Sequence, residues 1–229
     1  MTYLELQNAF PNLLDETKIE TLKKYCSLLL EANQKFNLTA IKSEPEVIEK
    51  HFYDSILPAK LTSFDGKRIC DIGTGAGFPG MVWAILFPKG HFVLVDSTGK
   101  KCTFLRETSK ALGLDNVEVI QSRAEELNLK ESFDYTSARA LGDLRLIMEL
   151  TAPLLKVGGR LVAMRGFKGL DEMKLASKAM KELGLKVETK EISELPGDIG
   201  KRINILYIKI NSTPNKYPRR YDEIVKRLL

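Results

Sequence analysis

Residues 68–87 read Arg-Ile-Cys-Asp-Ile-Gly-Thr-Gly-Ala-Gly-Phe-Pro-Gly-Met-Val-Trp-Ala-Ile-Leu-Phe. The run 68–70 reads as a strand, the glycines as a turn and 81–87 as the start of a helix, with Trp83 directed to the core. Glycines at alternate positions let the backbone take positive φ and let a ligand approach where a Cβ would block it. The free N–H groups of such a turn and of the helix that follows face the crevice beyond the strand, a setting for a nucleotide-like ligand.

Two ligands fit this loop. Gly75, Gly77 and Gly80 match the dinucleotide fingerprint, and Asp96 follows at about the 20-residue spacing of a ribose-binding acid. Read from Asp71, the pattern acid-x-Gly-x-Gly-x-Gly resembles the first motif of S-adenosylmethionine-dependent methyltransferases, whose strand-end acid holds the methionine end through its ammonium group. An aspartate beside a pyrophosphate would be repulsive, so Asp71 favours the methyl donor.

The chain has 229 residues, 44% hydrophobic and 28% charged, which suits one α/β domain with a modest appendage. No apolar run approaches the roughly 18 residues of a membrane helix. The N-terminus lacks the basic and apolar blocks of a signal peptide, so the cytosol is the expected location. Cys26, Cys70 and Cys102 form no CxxC spacing, and with two histidines there is no metal-ligand pattern. The net charge of +5 is uneven: from residue 200 onward eight Lys/Arg face two acids, a balance of +6, which leaves −1 for residues 1–199. A basic tail on a near-neutral body points to a polyanionic partner.

Beyond the glycine loop, strand patterns at 91–95, 117–120, 133–137 and 160–164 alternate with helical patterns at 100–112, 124–127 and 144–156. That alternation predicts βαβ units and a parallel sheet. A helix over 170–183 then leads to strands 185–192 and 203–210, joined without a helix and so expected to pair antiparallel. The expected architecture is a Rossmann-like class I methyltransferase α/β fold: a mostly parallel seven-stranded sheet closed by an antiparallel hairpin. Residues 1–61 are expected as an N-terminal helical cap, with Ile19, Leu22, Tyr25, Leu28 and Leu29 on its buried face. Residues 62–211 make the donor-binding domain, and 212–229 a basic, loosely held tail. A monomer is expected, because no long exposed apolar stripe is evident.

Scattered motifs line up with this reading. They are Asn37-Leu38-Thr39, His51 with Asp54-Ser55, the glycine loop, Asp96-Ser97 with Lys100-Lys101 and Phe104-Leu105, Arg123-Ala124-Glu125, Ser137-Ala138-Arg139-Ala140, Lys168-Gly169 and Tyr217-Pro218-Arg219. In this order and spacing, over about 36–219, the chain resembles the bacterial small-subunit rRNA guanine-N7 methyltransferase G family, also called glucose-inhibited division protein B. One departure stands out: 221–229 looks short and helical where family tails continue Gly/Pro/Lys-rich. The resemblance implies methyl transfer from S-adenosyl-L-methionine to N7 of one guanine in the decoding-region loop of 16S rRNA, as naked RNA or within the small ribosomal subunit. It implies cofactor contacts at Asp71, Gly73, Gly75, Gly77, Phe78, Ala124 and Glu125, with Arg139 beside both the cofactor and the target base. Asp96 takes its ribose role from position alone. Guanine N7 has an exposed lone pair and loses no proton, so no general base is expected; Arg139 positions.

RNA contacts are expected at Lys100 and Lys101, Arg123, Arg165 and Lys168, and in the basic tail region at Arg202, Arg219 and Arg220. Lys100 and Lys101 oppose the usual preference for acids at a helix start, which suits a phosphate. Phe78 and Phe167 are candidates to stack on unpaired bases. His51 reads either as a core or capping histidine or as an RNA-facing one. The other functional readings are a methyltransferase for a small molecule or protein, a dinucleotide oxidoreductase, and a non-enzymatic rRNA-binding assembly factor.

Overall fold

Alternating residues of the central strands face two separate apolar layers, and this alternation sets the architecture. The computed structural model describes residues 1–197 and 199–229. In chain order the helices are α1 (Tyr3–Ala9), α2 (Glu16–Phe36), α3 (Glu44–Val47), α4 (Asp54–Ile56), α5 (Gly80–Leu86), α6 (Gly99–Leu112), α7 (Leu144–Thr151), α8 (Gly169–Leu175), α9 (Ser177–Leu183) and α10 (Tyr221–Lys226). The strands are β1 (Arg68–Ile72), β2 (His91–Asp96), β3 (Val117–Gln121), β4 (Phe133–Arg139), β5 (Leu155–Gly166), β6 (Leu185–Leu195) and β7 (Gly200–Lys209). They form one seven-stranded sheet in the order β3-β2-β1-β4-β5-β7-β6. The first five strands pair parallel; β7 pairs antiparallel with both β5 and β6.

Ile69, Phe92, Leu94 and Val162 pack with α1, α2, α5 and α6 on one face, while Cys70, Val93, Val95 and Leu161 pack with α7, α9 and α10 on the other. Burying side chains of this size stabilises by roughly 1.5–3 kcal/mol each, which makes the period-2 pattern decisive for register. Trp83 is fully buried and donates from Nε1 to the Ser55 carbonyl at 2.7 Å, as suits a core indole.

The N-terminal helices share the first core. Helix α2 is capped by Asp15, whose carboxylate accepts from the Lys18 amide at 2.8 Å, and it ends at Asn37 with φ 50°. Its buried face is Ile19, Leu22, Tyr25, Cys26 and Leu29; Leu28 sits at the margin and Cys26 takes the place expected for it. All three cysteines are free and buried.

Three sequence expectations shift. The helix expected over 144–156 stops at Thr151, because Pro153 lacks the N–H that would continue it and Leu155 already pairs with Phe133 in the sheet. The helix expected over 170–183 is two, broken at the buried Ala176 where both lie against α7. The tail is docked rather than loose: Tyr217 and Ile224 are buried in the second core. Among the described residues, no helix is long and apolar enough to cross a membrane. No group of three or more His, Cys, Asp or Glu there is placed to hold a metal ion.

Candidate active site

A cavity of about 400 Å³ opens beyond the carboxyl ends of β1 to β4, where crevices form in open α/β sheets. Its floor is Ile72 and Gly73, where β1 runs into the glycine loop. Gly73, Gly75 and Gly77 have φ of 63°, 63° and 103°, and the Thr74 amide donates to the Val95 carbonyl at 3.1 Å. The loop is braced from both sides. Tyr25 donates to the Ala76 carbonyl at 2.5 Å from the cap, and Asp71 holds it from beneath.

Asp71 is fully buried. Its carboxylate accepts from Thr74 Oγ1 at 2.6 Å, the Gly80 amide at 3.0 Å and Ser137 Oγ at 2.7 Å. Burial raises its pKa and the three donors oppose that rise. Sequence reading placed this acid on the ligand; in the structure its carboxylate is engaged beneath the glycine loop by these three donors.

Four of the expected cofactor residues line the cavity beside Gly73: Asp96, Ala124, Glu125 and Arg139. Asp96 ends β2, with Oδ2 accepting from the Gly75 amide at 3.0 Å and Oδ1 from the Thr98 amide at 2.8 Å. Each oxygen keeps a second lone pair for a ribose diol. Ala124 and Glu125 sit in a single 3₁₀ turn after β3. Gly75, Gly77 and Phe78 are not in the cavity wall. Phe78 is 3% exposed and sandwiched between His51 (centroids 4.2 Å apart) and Tyr25 (5.4 Å), which removes it as a platform for RNA bases.

Arg139, at the tip of β4, is held on several sides. Nη2 donates to His51 Nδ1 at 3.0 Å, Nη1 reaches Asp54 Oδ2 and the Lys50 carbonyl at 3.3 Å each, and the guanidinium lies 5.1 Å from the Phe78 ring centroid. Because arginine has only donors, His51 Nδ1 must carry a lone pair. The proton is therefore on Nε2, which donates to Thr39 Oγ1 at 3.0 Å. Burial, and then the charge of Arg139, push the His51 pKa down to about 3. His51 is thus the acceptor that orients Arg139. The motif 51–54 carried this signal, but its partner at residue 139 is far away in sequence.

The cations expected at RNA divide into two groups. Lys100, Arg123, Lys168 and Arg220 are exposed and Lys101 half-buried, all at the rim beyond the strands' carboxyl ends. The others are engaged internally: Arg165 with Glu172 at 2.6 Å, Arg202 with Asp54 at 2.9 Å, and Arg219 with Glu149 at 2.6 Å. Phe167 is 70% exposed on the same rim. Sequence reading did not find Tyr221, which lines the cavity from the C-terminal tail.

The family model described as rRNA small subunit methyltransferase G matches residues 18–196. The ribosomal RNA small subunit methyltransferase G of Carboxydothermus hydrogenoformans is 40% identical over 211 residues, covering 90% of each chain. That of Mycoplasma capricolum subsp. capricolum is 43% identical over 206 residues, 90% of this chain and 89% of its own. Among solved structures, M. jannaschii TYW2 in complex with AdoMet superposes with a TM-score of 0.58 at 15% identity, covering 75% of this chain and 80% of that one. A SAM-dependent methyltransferase from Aquifex aeolicus gives 0.55 at 19% identity, over 72% and 94%. At those identities the likeness is one of fold.

Proposed function

This chain belongs to the rRNA small subunit methyltransferase G family, and from that premise we propose that it transfers the methyl group of S-adenosylmethionine to N7 of a guanine in the decoding-region loop of 16S rRNA. The observation that carries the reading is the cavity itself. Its volume of about 400 Å³ lies in the range of small-molecule sites, with a carboxylate beside the glycine loop and a fixed guanidinium at its wall.

When bound, the donor supplies an electrophilic methyl on a sulfonium sulfur. Gly73 and the backbone of its loop would hold the methionine end, with Asp71 acting through the loop it fastens. Asp96 would accept from the ribose hydroxyls, and Ala124 and Glu125 would face the adenine end. Arg139 has Nε–H and one Nη2–H left after its three internal partners. Those donors suit the O6 of a guanine, leaving the N7 lone pair free to attack. His51 has its Nδ1 lone pair taken by Arg139, so it serves orientation and not proton transfer. Alignment is then the main source of rate.

Lys100, Lys101, Arg123, Lys168 and Arg220 would meet phosphates, and Phe167 an unpaired base. In this reading 62–211 hold the donor, 1–61 brace Arg139 and the loop, and 212–229 complete a wall. The working unit in this reading is a monomer, acting in the cytoplasm where its RNA is.

The test is transfer of labelled methyl from S-adenosylmethionine to small-subunit particles and to deproteinised rRNA, with the modified base mapped. Label at N7 of one decoding-region guanine is expected. Arg139→Ala should lower kcat on the order of 10²-fold or more while still melting cooperatively, because Asp54 keeps Arg202 as partner. Label on another acceptor, or near-normal turnover by that variant, would overturn the reading.

A further inference from the structure

The tail holds an aromatic side chain at the cavity by two anchors. The first is Glu149 of α7, 0% exposed, which accepts from the Arg219 backbone amide at 3.0 Å, from Nε at 2.8 Å and from Nη2 at 2.6 Å. A buried carboxylate bound to both the main chain and the side chain of one residue fixes that residue's backbone as well as its charge. The second is Ile224, fully buried in the core beside α7. Tyr221 lies between them as the first residue of α10, and it shares the cavity wall with Ala124, Glu125 and Leu150.

We propose that Tyr221 contributes its ring to the adenine end of the donor site, and that the Glu149–Arg219 pair holds it there. The proposal rests on the methyl-donor reading above. A purine presents a flat π-face that an aromatic ring covers well with little loss of side-chain entropy. Ala124 and Leu150 offer only aliphatic surface at this end, so among the described residues the tail supplies its one aromatic group. This gives 221–229, the segment that departs from the family pattern, a place in cofactor binding and not in RNA capture. It also accounts for a buried Glu149 held in an ion pair with the half-buried Arg219 so near the cavity.

The experiment is calorimetric titration of the full chain with S-adenosylhomocysteine, alongside binding of a single-stranded RNA oligonucleotide without donor. Tyr221→Ala should weaken S-adenosylhomocysteine about tenfold, with RNA affinity unchanged. Tyr221→Phe should bind as the parent does, because the ring and not the hydroxyl makes the contact. Tyr221 is 36% exposed, so the unliganded variants should melt within about 3 °C of the parent. S-adenosylhomocysteine affinity within twofold of the parent in Tyr221→Ala would overturn the proposal. So would a fall in RNA affinity alone, which assigns the ring to RNA, or an equal fall in both, which reports general loosening. Failure of the parent itself to bind S-adenosylhomocysteine would strike the donor reading first and the proposal with it.

Discussion

At the scale of single residues, His51 is the most informative side chain after Arg139. Its ring is neutral, accepts from Arg139 and donates to Thr39, and its pKa is pushed down to about 3 by burial first and by Arg139 second. The sign of the pH effect follows. In the unfolded chain the ring takes a proton as pH falls through about 6.5, whereas in the folded chain it stays neutral until near 3. Unfolding therefore takes up a proton across that window, and stability falls with pH at up to about 1.4 kcal/mol per unit. Between pH 6.5 and 5, a range above most carboxylate titration, the loss comes to about 2 kcal/mol. His51→Gln keeps an acceptor for Arg139 and cannot titrate. The only other histidine, His91, is exposed at a strand start, so the difference between parent and variant isolates residue 51. Urea midpoints measured at both pH values should show the drop in the parent and not in His51→Gln. Equal pH slopes in the two proteins would mean that His51 is not held neutral.

At the scale of elements, the glycine loop and α2 act as one unit. Gly77 has φ 103°, and a Cβ there would stand 2.6 Å from the Tyr25 hydroxyl and 3.0 Å from Met81 Cβ. Gly113, at the end of α6, also has positive φ (68°) but nothing within 4 Å of its absent Cβ. The two separate backbone strain from steric conflict. Gly113→Ala should cost about 1 kcal/mol, the left-handed penalty alone. Gly77→Ala should cost roughly twice that or more and also weaken S-adenosylhomocysteine, because Tyr25 must move and its bond to Ala76 supports the loop. Thermal melts and a titration of each variant decide it; equal costs would show that α2 does not clamp the loop. This scale also marks what a sequence can reveal. The strand–glycine–helix unit, the alternation and the closing hairpin were readable because each rests on local period and turn chemistry. The brace on the loop was not, since Tyr25 meets Ala76 across 51 residues and Arg202 meets Asp54 across 148. Nor was the docking of the tail: a Pro- and Arg-rich stretch reads as solvated until a buried Glu149 is found opposite Arg219.

At the scale of the whole molecule, the charge asymmetry counted along the chain is not the charge presented at the rim. The sequence puts +6 beyond residue 200, yet Arg202, Lys209, Lys216 and Arg219 are paired with Asp54, Glu131, Glu182 and Glu149. Lys209 is fully buried, donating to the Ala152 and Leu155 carbonyls as well as Glu131, and burial lowers its pKa. A lysine buried in this way organises the fold and adds little to the outer field. Of the eight basic residues singled out in the sequence, the five at the rim, Lys100, Lys101, Arg123, Lys168 and Arg220, have at most weak surface partners and are the ones proposed to meet RNA. Each phosphate neutralised on a single strand contributes about −0.7 to the slope of log K against log salt. Five contacts give a slope of about −3.5, whereas all eight basic residues singled out in the sequence would give about −5.6. Binding of a single-stranded RNA oligonucleotide measured over a salt series should follow the shallower line, and Lys168→Ala should flatten it by about 0.7 while Arg165→Ala leaves the slope unchanged. The steeper slope would mean that the internal pairs open when RNA arrives, which would make Asp54 and its hold on Arg139 part of substrate recognition.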